Sequence, residues 1–225
     1  MRVVVIRHHA EDSPGFIAEA FQDRGADVST HLLPATGRFP AFDGVDHVVV
    51  LGAIPSVNDA GQLPWIADEL AWLRGADAAR VPVLGICFGA QGLCVAFGGQ
   101  VEAAPAKEIG WKVVATADAE LVPAGPWLLF HGDRCLPPAD ARILATNEVG
   151  VQAFSVGRHL AVQFHPEVDG TQLKLWLEAG GRAEAASAGK DPEALLAETV
   201  AEEPGARARA DVLVATAIRL AGAAL

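Results

Sequence analysis

Apolar segments alternate with helical patterns through the first hundred positions of the chain. Residues 3–6, 28–33, 48–51 and 81–86 read as buried strands, because such runs suit a parallel sheet covered on both faces. Between them, residues 14–24 predict a helix stopped by Gly25, and residues 63–74 a second stopped by Gly75, since glycine tolerates the left-handed backbone of a helix end. This β-α-β-α rhythm predicts an α/β fold with a doubly wound sheet. Ligands of such sheets bind beyond the carboxyl ends of the strands, so functional residues are expected just after each strand.

From residue 100 to 164 the pattern changes to short β-like pieces at 112–115, 127–130, 143–146, 151–156 and 160–164. Pro123-Ala124-Gly125-Pro126 and Pro137-Pro138 separate them in the manner of antiparallel meanders. The sheet is therefore expected to be mixed, though mostly parallel. After a helical stretch at 173–179, Gly180-Gly181 breaks the chain. Asp191-Pro192 offers an N-cap and first-turn proline for one helix, and residues 206–221 read as another. The expected division is a domain over residues 1–181 and an Ala-rich helical extension over 182–225 that packs on the core or on a partner. No internal repeat is seen.

Composition narrows the function classes. At 225 residues the chain suits one large domain or a domain with an appendage, and 51% hydrophobic against 20% charged residues supplies a core without disulfide staples. Acidic residues outnumber basic ones 28 to 17, a net charge of -11 that repels nucleic-acid phosphates and anionic lipid. Cys87, Cys94 and Cys135 form no C-x-x-C pair, and their odd number suits free thiols in a reducing compartment. The run at 3–6 is too short for a signal peptide, and residues 212–225, interrupted by Arg219, fall short of the roughly 20 residues that span a bilayer. A cytoplasmic protein without a membrane span is expected.

The sharpest local signal is Gly85-Ile86-Cys87-Phe88-Gly89, where an apolar strand runs through G-x-C-x-G into a helical pattern at 90–97. This is the layout of a nucleophile elbow with cysteine in the serine position. The helix N-terminus favours a thiolate there, and flanking glycines let helix and strand pack closely. A free cysteine by itself is more often an inert buried thiol. The second signal is Leu160-Ala161-Val162-Gln163-Phe164-His165-Pro166-Glu167, in which a strand delivers a histidine at its end. Pro166 keeps His165 extended, and side chains two apart then point the same way, so Glu167 can reach the imidazole. A cysteine nucleophile needs that pair: a base for its proton and a carboxylate to fix the base.

On these two blocks, together with Phe130-His131-Gly132-Asp133, Glu108-Ile109-Gly110-Trp111 and Leu51-Gly52-Ala53-Ile54-Pro55-Ser56-Val57, the chain resembles the class I, triad-type glutamine amidotransferases. Within them it is most similar to stand-alone proteins related to the glutaminase domain of GMP synthase. The resemblance covers about residues 1–180 and implies a flavodoxin-like fold. It further implies that Cys87 attacks the side-chain amide of glutamine, that His165 is general base and acid, and that Glu167 orients it. By the same resemblance Phe88 and Gly52 supply the oxyanion site, and Gln91, His131, Gly132 and Asp133 the glutamine cradle. No cofactor and no metal is implied. A metal site from Cys87, His131 and His165 is conceivable, but pairing with Glu167 explains His165 without one. The implied partners are glutamine as substrate and a separate synthetase or acceptor subunit, with room left for a homodimer.

The family's Gly-Gly-Pro loop reads Gly52-Ala53-Ile54-Pro55 here. If position 53 needs positive φ, the alanine there would misform the oxyanion site. That loop motivates a glutamine-binding regulatory subunit without turnover as a second reading, and a third is a γ-glutamyl hydrolase or peptidase using the same triad, which Gln91 does not exclude. His8 and His9 are expected to be a solvated pair, and Trp65 and Trp72 to be core packing.

Overall fold

The computed structural model describes residues 1–33 and 37–223. Its first half is β1 (Arg2–Arg7), α1 (Gly15–Gln22), β2 (Asp27–Leu32), β3 (His47–Val50), α2 (Pro64–Ala78), β4 (Val83–Ile86) and α3 (Phe88–Ala96). There follow β5 (Gln100–Lys112), β6 (Ala115–Thr116), β7 (Trp127–Leu136), β8 (Arg142–Thr146), β9 (Val151–Val156) and β10 (His159–Val162). The chain closes with α4 (Gly170–Trp176), α5 (Arg182–Ser187) and the long α6 (Pro192–Ala223).

One sheet runs in the order β2-β1-β3-β4-β10-β9-β7-β5, with β8 and β6 branching from β9. Strands β2, β1, β3, β4 and β10 are parallel, and from β9 onward the pairing is antiparallel. The period-two alternation of strand side chains sorts the core into two layers. Val3, Val5, Val49, Leu84 and Val162 pack with Phe16, Ile17 and Phe21 of α1 and with Leu213 and Val214 of α6. Val4, Ile6, Val48, Val50 and Val83 face Ile66 and Leu73 of α2 and Phe88 and Leu93 of α3. The sheet is thus doubly wound and mixed, as its pattern predicts.

Four details differ from the expectation. Strand β2 is the sheet edge and is largely exposed, so only its pairing with β1 makes it a strand. Gly75 does not stop α2, which runs on to Ala78; a Cβ there would sit 3.3 Å from the Phe42 ring, so glycine admits the preceding loop. The 13-residue β5 was not legible, because Pro105 interrupts its pattern; that proline lies where the register with β7 shifts between Ala103 and Glu108. The two expected C-terminal helices are one, continuous through Pro204.

Candidate active site

Cys87 joins β4 to α3 with φ 52° and ψ -104°, a left-handed conformation that Arg80 alone shares among the described non-glycine residues. Such a conformation costs roughly 1–3 kcal/mol and persists only where the surroundings enforce it. The enforcement is local. The Cys87 N–H donates to the Val162 carbonyl of β10 at 2.8 Å, and glycines flank the turn. A Cβ at Gly85 would stand 2.5 Å from the Gly89 carbonyl oxygen, and one at Gly89 2.3 Å from that of Val50. Both glycines of G-x-C-x-G are therefore required by close approach, which is the reason the motif predicts the turn.

Strand β10 ends three residues before His165, whose N–H donates to the Leu128 carbonyl at 2.8 Å and so ties the segment to β7. His165 Nδ1 lies 2.8 Å from Glu167 Oε1, with both side chains buried. The edge of the His165 ring meets Trp176 of α4, the centroids 4.8 Å apart. Burial opposes charge on this imidazole, but the Glu167 carboxylate and the hydrogen-bonded sulfur of Cys87 outweigh it and hold its pKa well above the usual histidine value. With Nδ1 engaged by Glu167, Nε2 is the nitrogen left for the thiol.

Gly52 marks the meeting point. A Cβ on it would lie 3.1 Å from His165 Cε1 and 3.7 Å from Cys87 Cβ, so sulfur, imidazole and the loop after β3 share one small volume. Phe88 opens α3, and its N–H belongs to the first helical turn, which has no intrahelical acceptor. Ala53 lies outside the left-handed region, so its Cβ brings no backbone strain to the loop. The loop is anchored at both ends. The Gly52 carbonyl meets His8 Nδ1 at 2.8 Å, and Ser56 Oγ donates to Asp133 Oδ2 at 2.6 Å while Ser56 and Asp59 form a capping box.

Of the implied glutamine cradle, Gln91 and His131 turn inward, while Gly132 and Asp133 are half-buried. Gln91 is buried with Nε2 3.4 Å from Gln163 Oε1. His131 is buried with Nδ1 2.9 Å from the Asp133 carbonyl and Nε2 3.4 Å from Glu108. Glu108 also accepts from Lys112, Asn147 and Gln152. Burial raises its pKa, but the bonds from His131, Lys112 and Asn147 prevail and bring it down to about 2. Gly132, beside them on β7, is half-buried, and a Cβ there would meet only the Lys107 side chain at 3.5 Å.

Two residues close to this site carried no clear sequence signal. His8 is not part of a solvated pair: only His9 is exposed, while His8 bridges Gly52 and the buried Glu69 of α2. Its place just past the end of β1 was the one available hint. Gly15, with φ +35°, lets the start of α1 rest on the Glu167 carbonyl, which accepts from the Phe16 N–H at 3.2 Å; a Cβ at Gly15 would stand 1.9 Å from that oxygen. Trp72 packs between Phe39 and Phe42, whereas Trp65 packs on His8 and Phe88. Among the described residues no cluster of three or more His, Cys, Asp or Glu is arranged to hold a metal, and no helix is long and apolar enough to cross a membrane.

Comparison with known proteins identifies the family. Residues 15–179 match the family model of the class-I glutamine amidotransferases. The chain is 34% identical over 142 residues to the glutamine-hydrolysing GMP synthase of Nitrosomonas eutropha, covering 55% of this chain and 26% of that one. To the GMP synthase of Yersinia pestis it is 36% identical over 116 residues, 44% of this chain and 22% of that one. The chain thus matches about a quarter of the length of these relatives. In structure it is similar to a glutamine amidotransferase from Thermotoga maritima, with a TM-score of 0.88, 25% identity, and 97% of this chain and 98% of that one covered. A glutamine amidotransferase from Methylobacillus flagellatus shares the fold at a TM-score of 0.86 and 23% identity, over 97% of this chain and 94% of that one. With its flavodoxin-like mixed sheet and a family match extending from α1 to beyond α4, the chain belongs to the class I glutamine amidotransferases.

Proposed function

We propose that the chain hydrolyses the side-chain amide of glutamine through Cys87, His165 and Glu167 and delivers the ammonia to a separate acceptor. The observation that carries this reading is Cys87, held on a left-handed turn, sharing the small volume at Gly52 with an imidazole whose Nδ1 is 2.8 Å from a buried carboxylate. The Cys87 sulfur attacks the amide carbon with its proton held on His165. The oxyanion of the tetrahedral intermediate is stabilised by the Phe88 N–H and the loop at Gly52, and one such donor is worth about 10² to 10³ in rate. His165 then protonates the departing nitrogen, which leaves as ammonia, and a γ-glutamyl thioester remains on Cys87. Water gives its proton to His165, attacks the thioester carbon, and releases glutamate and the free thiol.

Glu167 keeps the imidazole in the tautomer with its proton on Nδ1 and favours its charged form, the two tasks a triad carboxylate performs. Gln91 and the backbone of His131, Gly132 and Asp133 are assigned to the walls around the substrate. The matching relatives are named for GMP synthesis, and this chain matches about a quarter of them. A synthetase or acceptor subunit is the proposed consumer of the ammonia, in the cytoplasm, with residues 1–181 as the glutaminase domain and 182–225 as an extension packed on it.

The test is steady ammonia release from glutamine by the purified chain. Turnover that disappears in Cys87→Ala supports the reading. Equal release by the wild type and Cys87→Ala, or none even when an ATP-dependent synthetase that co-purifies with the chain is added back, contradicts it.

A further inference from the structure

The Gly52 carbonyl beside the candidate nucleophile is held by a buried pair that the triad does not use. His8 Nδ1 is 2.8 Å from that carbonyl and His8 Nε2 is 2.9 Å from Glu69 Oε2. The side chains of His8 and Glu69 are 5% and 1% exposed, so water does not screen them. Both ring nitrogens thus face oxygen. A carbonyl only accepts, so Nδ1 carries a hydrogen, and a single proton lies between Nε2 and the carboxylate. The rings of Trp65 and Phe88, with centroids 5.3 and 5.1 Å away, fix the plane of the imidazole.

The Gly52–Ala53 peptide is trans, so its N–H points opposite to its carbonyl. Whatever holds the carbonyl therefore also sets the Ala53 N–H, at a loop whose Gly52 abuts Cys87 and His165. We propose that His8 and Glu69 form a proton-sharing pair that positions the Gly52–Ala53 peptide for oxyanion binding, so that the shape of the active-site loop depends on one proton held outside the triad. This rests on the glutaminase reading above.

The charged groups around His8 agree in sign. Glu69 on α2 and Asp12 in the loop after β1 both favour the imidazolium, and Asp68 of α2 lines the same 270 Å³ cavity wall. Burial opposes the charge, but Glu69, the Gly52 carbonyl and Asp12 raise the pKa of His8 above the ordinary 6.5. Loss of the proton leaves an Nε2 lone pair against a carboxylate, and the pair loosens. The lock is thus fully present below the ordinary value and fails as pH rises through the raised one.

Two experiments test the proposal. The first is 15N NMR of the His8 ring in the full chain, assigned by loss of its signals in a His8 variant. At pH 6.5, the ordinary histidine midpoint, the ring protonated on both nitrogens should predominate, and Glu69→Gln, whose amide can donate to Nε2, should convert the ring to the neutral form with its proton on Nδ1. A neutral wild-type ring with the proton on Nε2 overturns the proposal. The second is kinetic. The double variant His8→Phe/Glu69→Leu keeps the packing, leaves no lone buried charge and removes the donor to Gly52. It should lower kcat for glutamine by about 10² to 10³, with KM and the rate of Cys87 alkylation by iodoacetamide within about threefold of wild type. His8→Asn, with an amide in reach of the carbonyl, should recover at least about tenfold over the double variant. Wild-type kcat in the double variant overturns the proposal. A wild type without glutaminase activity would instead refute the function proposed above, and the ring spectra would still decide the state of the pair.

Discussion

Replacing Gly89 by alanine is the sharpest single perturbation of the nucleophile turn. The added Cβ would lie 2.3 Å from the Val50 carbonyl oxygen and 2.9 Å from the Val50 carbonyl carbon and Cβ. That is about 1.1 Å short of ordinary van der Waals contact, and the obstacle is the backbone of β3 in the middle of the sheet. No rotamer relieves it, so the start of α3 has to lift by roughly 1 Å. Phe88 and Cys87 would move with it. Misplacement of reacting groups by about 1 Å costs on the order of 10²-fold in rate. Overpacking costs about 1–3 kcal/mol, against a gain of up to about 1 kcal/mol in helix propensity for Gly→Ala. The expected outcome is a melting temperature lower by a few degrees and kcat/KM for glutamine lower by about 10²-fold. Gly61→Ala is the control, because nothing lies within 4 Å of a Cβ there and its φ is ordinary. Wild-type turnover in Gly89→Ala, or an equal loss in Gly61→Ala, would refute the reasoning.

Glu167→Gln removes the leading influence that opposes burial of His165, so the imidazole pKa should drop from its raised value and turnover should fall by about 10³-fold or more. The stabilisation that raised pKa gives is complete below the ordinary value and lost as pH rises through the native one, so the variant's unfolding midpoint should lose that alkaline dependence; an unchanged profile in denaturant titrations contradicts it. Glu108 works in the opposite sense. With its pKa brought down to about 2, its contribution is present above the unfolded value near 4.5 and lost as pH falls toward 2, and Glu108→Gln should flatten thermal stability over that interval while costing about 3 kcal/mol at pH 7. Gly15→Ala should displace the Glu167 backbone, lowering kcat by about tenfold or more and leaving Cys87 accessible to alkylation; unchanged kcat would show that α1 does not fix the carboxylate.

The parallel half of the sheet was legible because Val3–Val4–Val5–Ile6 and Val48–Val49–Val50 are buried on both faces, which only an apolar run satisfies. The turn at Cys87 was legible for a related reason: its two glycines are demanded by backbone contacts, so they leave a fixed mark. Strand β5 was obscured by a bulge that accommodates Pro105, and β2 by an edge position that permits polar residues. The His8–Glu69 pair joins residues 61 positions apart on β1's exit and α2, and nothing in either local pattern distinguishes them from surface charge. Likewise, the inward turn of His131 depends on Glu108, which faces it only through the β5–β7 register. Pairings made across the fold leave no periodicity to read.

The most direct measurement is peptide-level mass spectrometry after exposure of the native chain to an electrophilic glutamine analogue at neutral pH. The structure offers three free thiols, all buried, with Cys94 and Cys135 at 0% and 2% exposure more enclosed than Cys87 at 7%. A single adduct on Cys87, suppressed by excess glutamine and slowed in His165→Ala, is the predicted result. Labelling of Cys94 or Cys135 in its place, or a Cys87 adduct whose rate ignores both glutamine and His165, would contradict the account.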